Sequence, residues 1–116
     1  MAECPYCNIA PEDAWIAGEN ADVILSREPI GAGHVIVAPK RHVSRFYGLD
    51  VQEQHSVWEL VGLAQKHLSD TLDLNRFSIG FAEFPEDSGE HTHIHVVPRT
   101  DGDGISLPPE IQWVDG

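Results

Sequence analysis

The sequence predicts an α+β fold, with one long helix packed on an antiparallel sheet. Short runs rich in β-branched residues, at 22–25, 34–39, 77–82 and 91–98, have the pattern of strands. A turn sequence joins the first two runs and an acidic loop joins the last two, which favours hairpin-type connections. Between the two pairs, residues 50–72 place apolar side chains at intervals of three and four, as a helix requires.

Length and composition predict a single domain over residues 1–116. The 116 residues are 41% hydrophobic and 22% charged, which is a globular composition with too little apolar surface for two cores. We divide the chain into an N-terminal segment (1–20), a core (21–99) and an irregular C-terminal tail (100–116). Pro11 and Gly18 break the first segment, and the tail is rich in Gly, Asp and Pro.

The net charge argues against polyanionic partners. Asp and Glu number 19 and Lys and Arg 7, and the resulting −12 opposes docking on nucleic acid polymers or anionic membranes. A small phosphorylated molecule stays compatible, because a few local donors outweigh a diffuse field that salt screens over roughly 8 Å. No apolar run approaches the roughly 20 residues that span a bilayer, and the N-terminus lacks an export pattern, so we expect a cytoplasmic protein.

The long helix has a predicted start at Asp50, where Glu53 completes a capping box. Gly62 lies inside the helix, costs about 1 kcal/mol relative to alanine, and is expected to allow close packing against a neighbouring element. The apolar positions that define the buried face are Val57, Val61, Ala64, Leu68 and Leu72.

The stretch HTHIHVVPR, residues 91–99, carries the strongest chemical signal. Side chains two apart share a face of a strand, so His91, His93 and His95 project to one side. Successive members lie roughly 6.6 Å apart along the backbone, which makes it awkward for one tetrahedral metal to bind all three. Different roles for different histidines are the more economical interpretation. Exposed histidines without a role, or a catalytic metal centre within the row, stay open as alternatives.

A second constellation is CPYC at residues 4–7. Cys4 and Cys7 supply two thiolates at a spacing that fits one tetrahedral Zn²⁺, and two imidazoles would close a structural site. His42 and His91 are the candidates that we favour, which makes 1–20 a zinc-binding segment. A redox pair fits less well, because the βαβ setting of such motifs is absent, and two unrelated cysteines stay open as the plain alternative.

Other aromatic residues are assigned by their place in the pattern. His34 begins the second strand, and it either faces the histidine row across the sheet or is an ordinary strand-edge residue. His55 lies in the helix pattern and is expected on the surface. The tryptophans at 15, 58 and 113 are expected to anchor the core or an interface rather than to stack on a ligand.

Together these features resemble the histidine triad (HIT) superfamily of nucleotide hydrolases and transferases, specifically its Hint-like and bacterial branch. The signature of alternating histidines is matched by HTHIHVV, supported by CxxC near the start, GHVIVAPKRH upstream and one long helix between them. The likeness runs from residue 4 to residue 99. It implies the HIT fold, with a sheet of about five strands, one long helix and a short one, and a homodimer whose sheets join.

The resemblance also implies a covalent mechanism. By position, His93 is the nucleophile that attacks the α-phosphorus of a nucleoside phosphate, dinucleotide or phosphoramidate, and water then hydrolyses the nucleotidyl-histidine. His95 holds the phosphate, His34 matches an additional active-site histidine, and His91 matches the first histidine of the triad. The structural zinc ligands that the resemblance implies are Cys4, Cys7, His42 and His91.

For nucleotide binding, the resemblance implies an apolar purine pocket in which Ile9 and Ile24 fall, with His93 and His95 at the phosphate. Ser26 stands where the family usually has an acidic residue for the ribose hydroxyls. In the loop ahead of the triad only Ser88 matches the usual phosphate contact, among carboxylates that weaken polyphosphate binding. These departures leave a second hypothesis open, a non-catalytic nucleotide-binding regulatory dimer.

Overall fold

A six-stranded antiparallel sheet with a helix on one face forms the described part of the chain. The computed structural model describes residues 6–7, 9–72 and 76–115, and the backbone alone at 115. The strands are β1 (Ala14–Ala17), β2 (Ala21–Leu25), β3 (Val35–Pro39), β4 (Phe77–Ala82), β5 (His93–Pro98) and β6 (Gln112–Asp115), and the long helix is α1 (Val51–Leu72). Their order across the sheet is β1-β2-β3-β5-β4-β6. The predicted α+β class is confirmed.

Helix α1 begins with the predicted capping box. The Asp50 amide donates to Glu53 Oε1 at 2.9 Å, and the Glu53 amide donates to Asp50 Oδ1 at 2.8 Å. The buried residues of α1 are Val57, Leu60, Val61, Ala64 and Leu68. Leu72, in the last turn, is 40% exposed. A Cβ added at Gly62 would meet nothing within 4 Å, so the close packing predicted there is wrong.

The core lies between α1 and one face of the sheet. Val23, Val35, Val37 and Val96 are fully buried there, and burial of each such side chain contributes about 1.5–3 kcal/mol relative to exposure. Ile94 lies two positions before Val96 on the same face of β5. The histidines that alternate with them therefore point away from the helix, to the other face of the sheet.

The strand that carries the histidine row begins at His93, two residues later than predicted. The Thr92 amide donates to the carbonyl of Val43 at 2.7 Å, and the Thr92 hydroxyl donates to the carbonyl of Ala82 at 2.9 Å. This segment thus bonds to the loop after β3 instead of extending the ladder. The strand predicted from residue 34 begins at Val35, and the one predicted from 22 begins at Ala21.

The chain ends depart further from prediction. In the N-terminal segment, Pro11–Asp13 form a 3₁₀ turn and Ala14–Ala17 form β1. In the tail expected to be irregular, Gln112–Asp115 form β6 along the edge of β4, so the described residues have six strands rather than about five. In place of the predicted short helix, the described residues contain 3₁₀ turns, such as Phe46–Gly48. Over the same residues, no helix has both the length and the apolar character that a membrane crossing needs.

Candidate active site

Three histidines, His34, His93 and His95, meet on the face of the sheet opposite the helix, and a fourth, His91, comes two residues before His93 in the chain. His34 and His91 are each 3% exposed, and His93 and His95 are each 9% exposed. The rings of His93 and His95 lie 4.8 Å apart between centroids, and those of His34 and His95 lie 5.0 Å apart. The predicted shared face is therefore found for His93 and His95 of β5. His34, which directly precedes the neighbouring strand β3, packs against His95.

The ring proton of His93 is fixed by the main chain. Its Nδ1 lies 3.0 Å from the carbonyl oxygen of His91, which can only accept, so Nδ1 carries the proton. We assign the tautomer from this bond. In the neutral ring the other nitrogen, Nε2, then keeps its lone pair, which is the form that a nucleophilic histidine needs.

A hydrogen-bond chain fixes the proton of His95 in the opposite sense. The Ile30 amide donates to His34 Nδ1 at 3.0 Å, so the proton of neutral His34 lies on Nε2. That Nε2 donates to His95 Nδ1 at 2.9 Å. Neutral His95 consequently carries its own proton on Nε2, as a donor. The cluster thus pairs one ring that offers a lone pair with one that offers a proton.

Burial keeps these rings uncharged at neutral pH. Desolvation, helped by repulsion from His93, lowers the pKa of His34 to about 4. Desolvation, helped by repulsion from His93 and His34, lowers the pKa of His95 to about 3. Burial also lowers the pKa of His93, against the hydrogen bond to the His91 carbonyl, which raises it. All three imidazoles are therefore neutral at physiological pH.

Aromatic rings surround the cluster. The ring of Tyr6 lies 4.5 Å from that of His93 between centroids, and the ring of Phe84 lies 6.1 Å from it. The Trp113 ring lies 5.9 Å from that of His95, whereas this tryptophan was predicted as a core or interface anchor. These contacts restrict the rotation of both imidazoles.

Two cavities meet at His95. The first, of about 350 Å³, is lined by Ile24, Ser26, His34 and His95 among others. The second, of about 390 Å³, is lined by His93 and His95 together with Glu83, Phe84 and Glu110. Each lies within the size range of small-molecule pockets, and Ile111 lines both. The arrangement can hold one group on each side of a reacting centre beside the histidines.

A separate cluster of possible metal ligands lies at the start of β5. One ligand atom from each of Cys7, His42 and His91 falls within 4.8 Å of the others. The Nε2 atoms of His42 and His91 lie 3.0 Å and 2.7 Å from the carbonyl oxygens of Gly89 and Pro39, so both carry protons. Both Nδ1 lone pairs therefore face the Cys7 sulfur, at 2.9 and 3.5 Å, and the donor set suits a metal ion.

Comparison with known proteins places this geometry in a family. The model of the HIT domain matches residues 10–102. The chain belongs to the HIT family. The predicted superfamily and HIT fold are confirmed, and the Hint-like branch stays a prediction.

Three similar proteins share about a quarter to a third of their aligned residues with this chain. A protein of Arabidopsis thaliana named bifunctional bis(5'-adenosyl)-triphosphatase/adenylylsulfatase FHIT is 28% identical over 102 residues, which cover 85% of this chain and 56% of that protein. The AP-4-A phosphorylase of Mycobacterium tuberculosis is 33% identical over 92 residues, 74% of this chain and 46% of that protein. The crystal structure of the C. elegans NitFhit protein has a TM-score of 0.76 at 26% identity, over 90% of this chain and 26% of that one. The chain thus spans about half the length of the two relatives.

Most of the predicted catalytic and nucleotide-binding residues, but not all, belong to the histidine cluster or line one of the two cavities. Ile24 and Ser26 line the first cavity, and their roles as purine and ribose contacts stay predictions. Ile9 and Ser88 are not among the residues that line either cavity. The Ser88 hydroxyl accepts the amide of Glu90 at 3.1 Å, within its own loop. The predicted ligand Cys4 lies outside the described residues.

Sequence reasoning missed several residues that lie beside the histidines, among them Tyr6, Phe84, Ile111 and Trp113. A signal existed for Tyr6, because ligation by Cys7 and His91 would bring the preceding residue close to the histidine row. For the two C-terminal residues, the sequence offers only a short apolar run, residues 111–114, at the end of a tail without periodicity.

Proposed function

We propose that this chain is a nucleotide hydrolase or transferase that cleaves a nucleoside phosphate, dinucleotide or phosphoramidate through a nucleotidyl-histidine. The observation that carries the proposal is the pair of opposite tautomers, a lone pair on His93 Nε2 and a proton on His95 Nε2. The relatives named as a triphosphatase and a phosphorylase of adenosine dinucleotides support phosphoanhydride chemistry.

The two cavities suggest how a substrate lies in the site. The nucleoside occupies the first cavity, against Ile24 and Ser26, and the leaving group occupies the second. The α-phosphorus then lies beside His95, which lines both cavities, and within reach of His93. The Nε2–H of His95 donates to a phosphate oxygen and stabilises the charge that develops there.

The reaction has two steps. In the first, the Nε2 lone pair of His93 forms a bond to phosphorus, the bond from phosphorus to the leaving group breaks, and the leaving group takes the electron pair and a proton from solvent. The Nδ1–H of His93 stays bonded to the His91 carbonyl, which stabilises the positive ring. In the second step, water adds to phosphorus and releases a proton to solvent, the phosphorus–nitrogen bond breaks, and Nε2 recovers its lone pair. Splitting the displacement in this way lowers each barrier.

Mass spectrometry tests the covalent step. The protein is exposed briefly to adenosine phosphoramidate or to an adenosine dinucleotide, quenched in base, and searched for an adenylated histidine. We expect the adduct on His93, and we expect His93→Ala to lose both adduct and turnover. The control is His55→Ala, because His55 is an exposed histidine of α1 that leaves the site intact. Full turnover by His93→Ala would overturn the mechanism.

We also propose that Cys7, His42 and His91, with Cys4, bind a structural Zn²⁺. Thiolate and imidazole donors are those that zinc prefers, and the Nδ1 lone pairs of both histidines face the thiol. Bound zinc would tie the N-terminal segment to the start of β5. We propose a cytoplasmic location as well, because the cytoplasm keeps thiols reduced and so available to bind zinc. Metal analysis should find zinc in the native protein and in His93→Ala but not in Cys7→Ser; the reverse result would favour a metal centre in the histidine row.

The second candidate is a non-catalytic nucleotide-binding regulator. It is favoured by the carboxylates of Glu83 and Glu110, which line the cavity beside His93. Two negative charges there weaken the binding of polyphosphate leaving groups. Calorimetry that detects nucleoside monophosphate binding, together with no turnover of any phosphoramidate or dinucleotide, would select this function instead.

A homodimer is the assembly that we propose for either function. Trp58 of α1 is 42% exposed although its ring packs edge-on against those of Phe46 and Phe81. A second copy would cover this aromatic surface. Light scattering should give twice the chain mass for the native protein and the single mass for Trp58→Glu; a single mass for both would refute the dimer.

A further inference from the structure

The C-terminal strap, which we define as residues 108–113, lies over the histidine face of the sheet. It is closed by its own hydrogen bonds: the Ile111 amide donates to the carbonyl of Pro108 at 3.3 Å, and Trp113 Nε1 donates to the same oxygen at 2.9 Å. Strand β6 then fixes the strap to the edge of β4, with Trp113 opposite Gly80. The strap is therefore closed on itself and held to the sheet at its C-terminal end, beside the site.

Gly80 is the position that lets the strap approach. In the register of the sheet, Gly80 lies between His95 on β5 and Trp113 on β6. A Cβ at this position would lie 2.6 Å from the Trp113 ring and 2.8 Å from Cγ2 of Ile111. Because no side chain stands there, both residues fill the space beside His95 instead.

Ile111 stands at the junction of the two cavities. It lines the first cavity together with Pro108, and it lines the second together with Glu110. Of these three residues of the strap, Ile111 lines both cavities, and Pro108 and Glu110 line one each. The strap lies beyond residues 10–102, the part that matches the HIT domain. This wall of the site is therefore not part of the matched domain.

We propose that the strap determines specificity, with the Ile111 side chain setting how large a leaving group fits beside His93. The inference rests on the proposed function, because it assigns the second cavity to the leaving group. An apolar wall discriminates by shape, and in such pockets one methylene changes the selectivity between substrates by roughly 10-fold or more. Shortening Ile111 should admit bulkier leaving groups, and enlarging it should exclude them.

The test compares two substrates that share adenosine monophosphate and differ only in the leaving group. One is the simple phosphoramidate, and the other is an amidate of a bulky aromatic amine. We expect Ile111→Ala to raise the ratio of kcat/KM, bulky over small, by about 10-fold, and Ile111→Phe to lower it. A fold defect reduces the active fraction equally for both substrates and leaves the ratio unchanged. The matched control is Val114→Ala, whose parent residue is 52% exposed on the opposite face of β6.

The outcomes separate the two proposals. If the native protein turns over neither substrate and forms no adduct, the proposed function fails. If it turns over both while the two Ile111 variants keep the native ratio, the function stands and the strap is not the selective wall. A ratio that shifts equally in Val114→Ala would also overturn the assignment to Ile111.

Discussion

Lowering the pH from 7 to 5 is expected to destabilise the fold through His34. Its ring is 3% exposed and burial holds its pKa at about 4, whereas the unfolded chain has the ordinary value of 6.5. Between these values the unfolded state binds a proton that the folded state does not. The contribution that neutral His34 makes to the free energy of unfolding is therefore present above pH 6.5, and it is lost progressively as the pH falls toward 4.

The size of the effect follows from the same two values. At pH 5 the unfolded ring is protonated and the folded ring is not, which lowers the free energy of unfolding by about 2 kcal/mol relative to pH 7. The cavity that His34 lines is open to solvent, and solvent screening reduces the expected loss to about 1–2 kcal/mol. Such a loss is a large share of the stability of a small domain.

The substitution His34→Gln isolates the contribution of His34 to the pH dependence of stability. Glutamine accepts from the Ile30 amide and donates toward His95, as His34 does, but it does not titrate between pH 5 and 7. Urea unfolding at pH 7, 6 and 5 should show a shallower loss of stability in the variant than in the native protein, by about 1–2 kcal/mol at pH 5. Groups that His34 does not touch cancel in this difference. His95, whose pKa His34 helps to lower, changes in the same direction, because its pKa rises in the variant and its own loss of stability at low pH becomes smaller. Parallel pH profiles would show that His34 is already protonated or hydrated in the folded state and would refute the reasoning.

Other substitutions test the local structure. Gly62→Ala should raise the free energy of unfolding by roughly 0.5–1 kcal/mol in urea melts, because the position is helical with open space around it; a loss of stability would contradict the exposed assignment. Asp50→Ala should lower it by about 1 kcal/mol through loss of the capping box, whereas Asp70→Ala, an exposed control on the same helix, should leave it nearly unchanged. Gly80→Ala should displace Trp113 and speed amide exchange over residues 112–115, and native exchange rates in that strand would contradict the close fit.

Local patterns were sufficient for much of the fold. The capping box at Asp50 and the helical spacing up to Leu68 are interactions between residues three or four apart, which a sequence displays directly. The shared face of His93 and His95 follows from the two-residue period of a strand. The predicted start of that strand was wrong because Thr92 bonds to a distant loop, a contact that no local pattern encodes.

Features that depend on distant neighbours could not be predicted. Strand β6 forms because the edge of β4 is open and Gly80 leaves room for Trp113, and 33 residues separate those two positions in the chain. The tautomers of the site depend on the carbonyl of His91 and the amide of Ile30, whose directions only the folded backbone fixes. The Ser88 hydroxyl accepts from the Glu90 amide and lies 3.5 Å from the Ser44 hydroxyl, and the second of these neighbours is 44 positions away in the chain.

The ring protons of His93 and His34 are placed by peptide groups rather than by acidic side chains. A peptide group is common to every residue type, so replacing the side chain of Ile30, which lines the first cavity, with another that keeps the backbone path leaves the amide donor to His34 in place. An engineer could therefore redesign the apolar linings of the cavities for a new substrate while the chemistry at His93 stays the same.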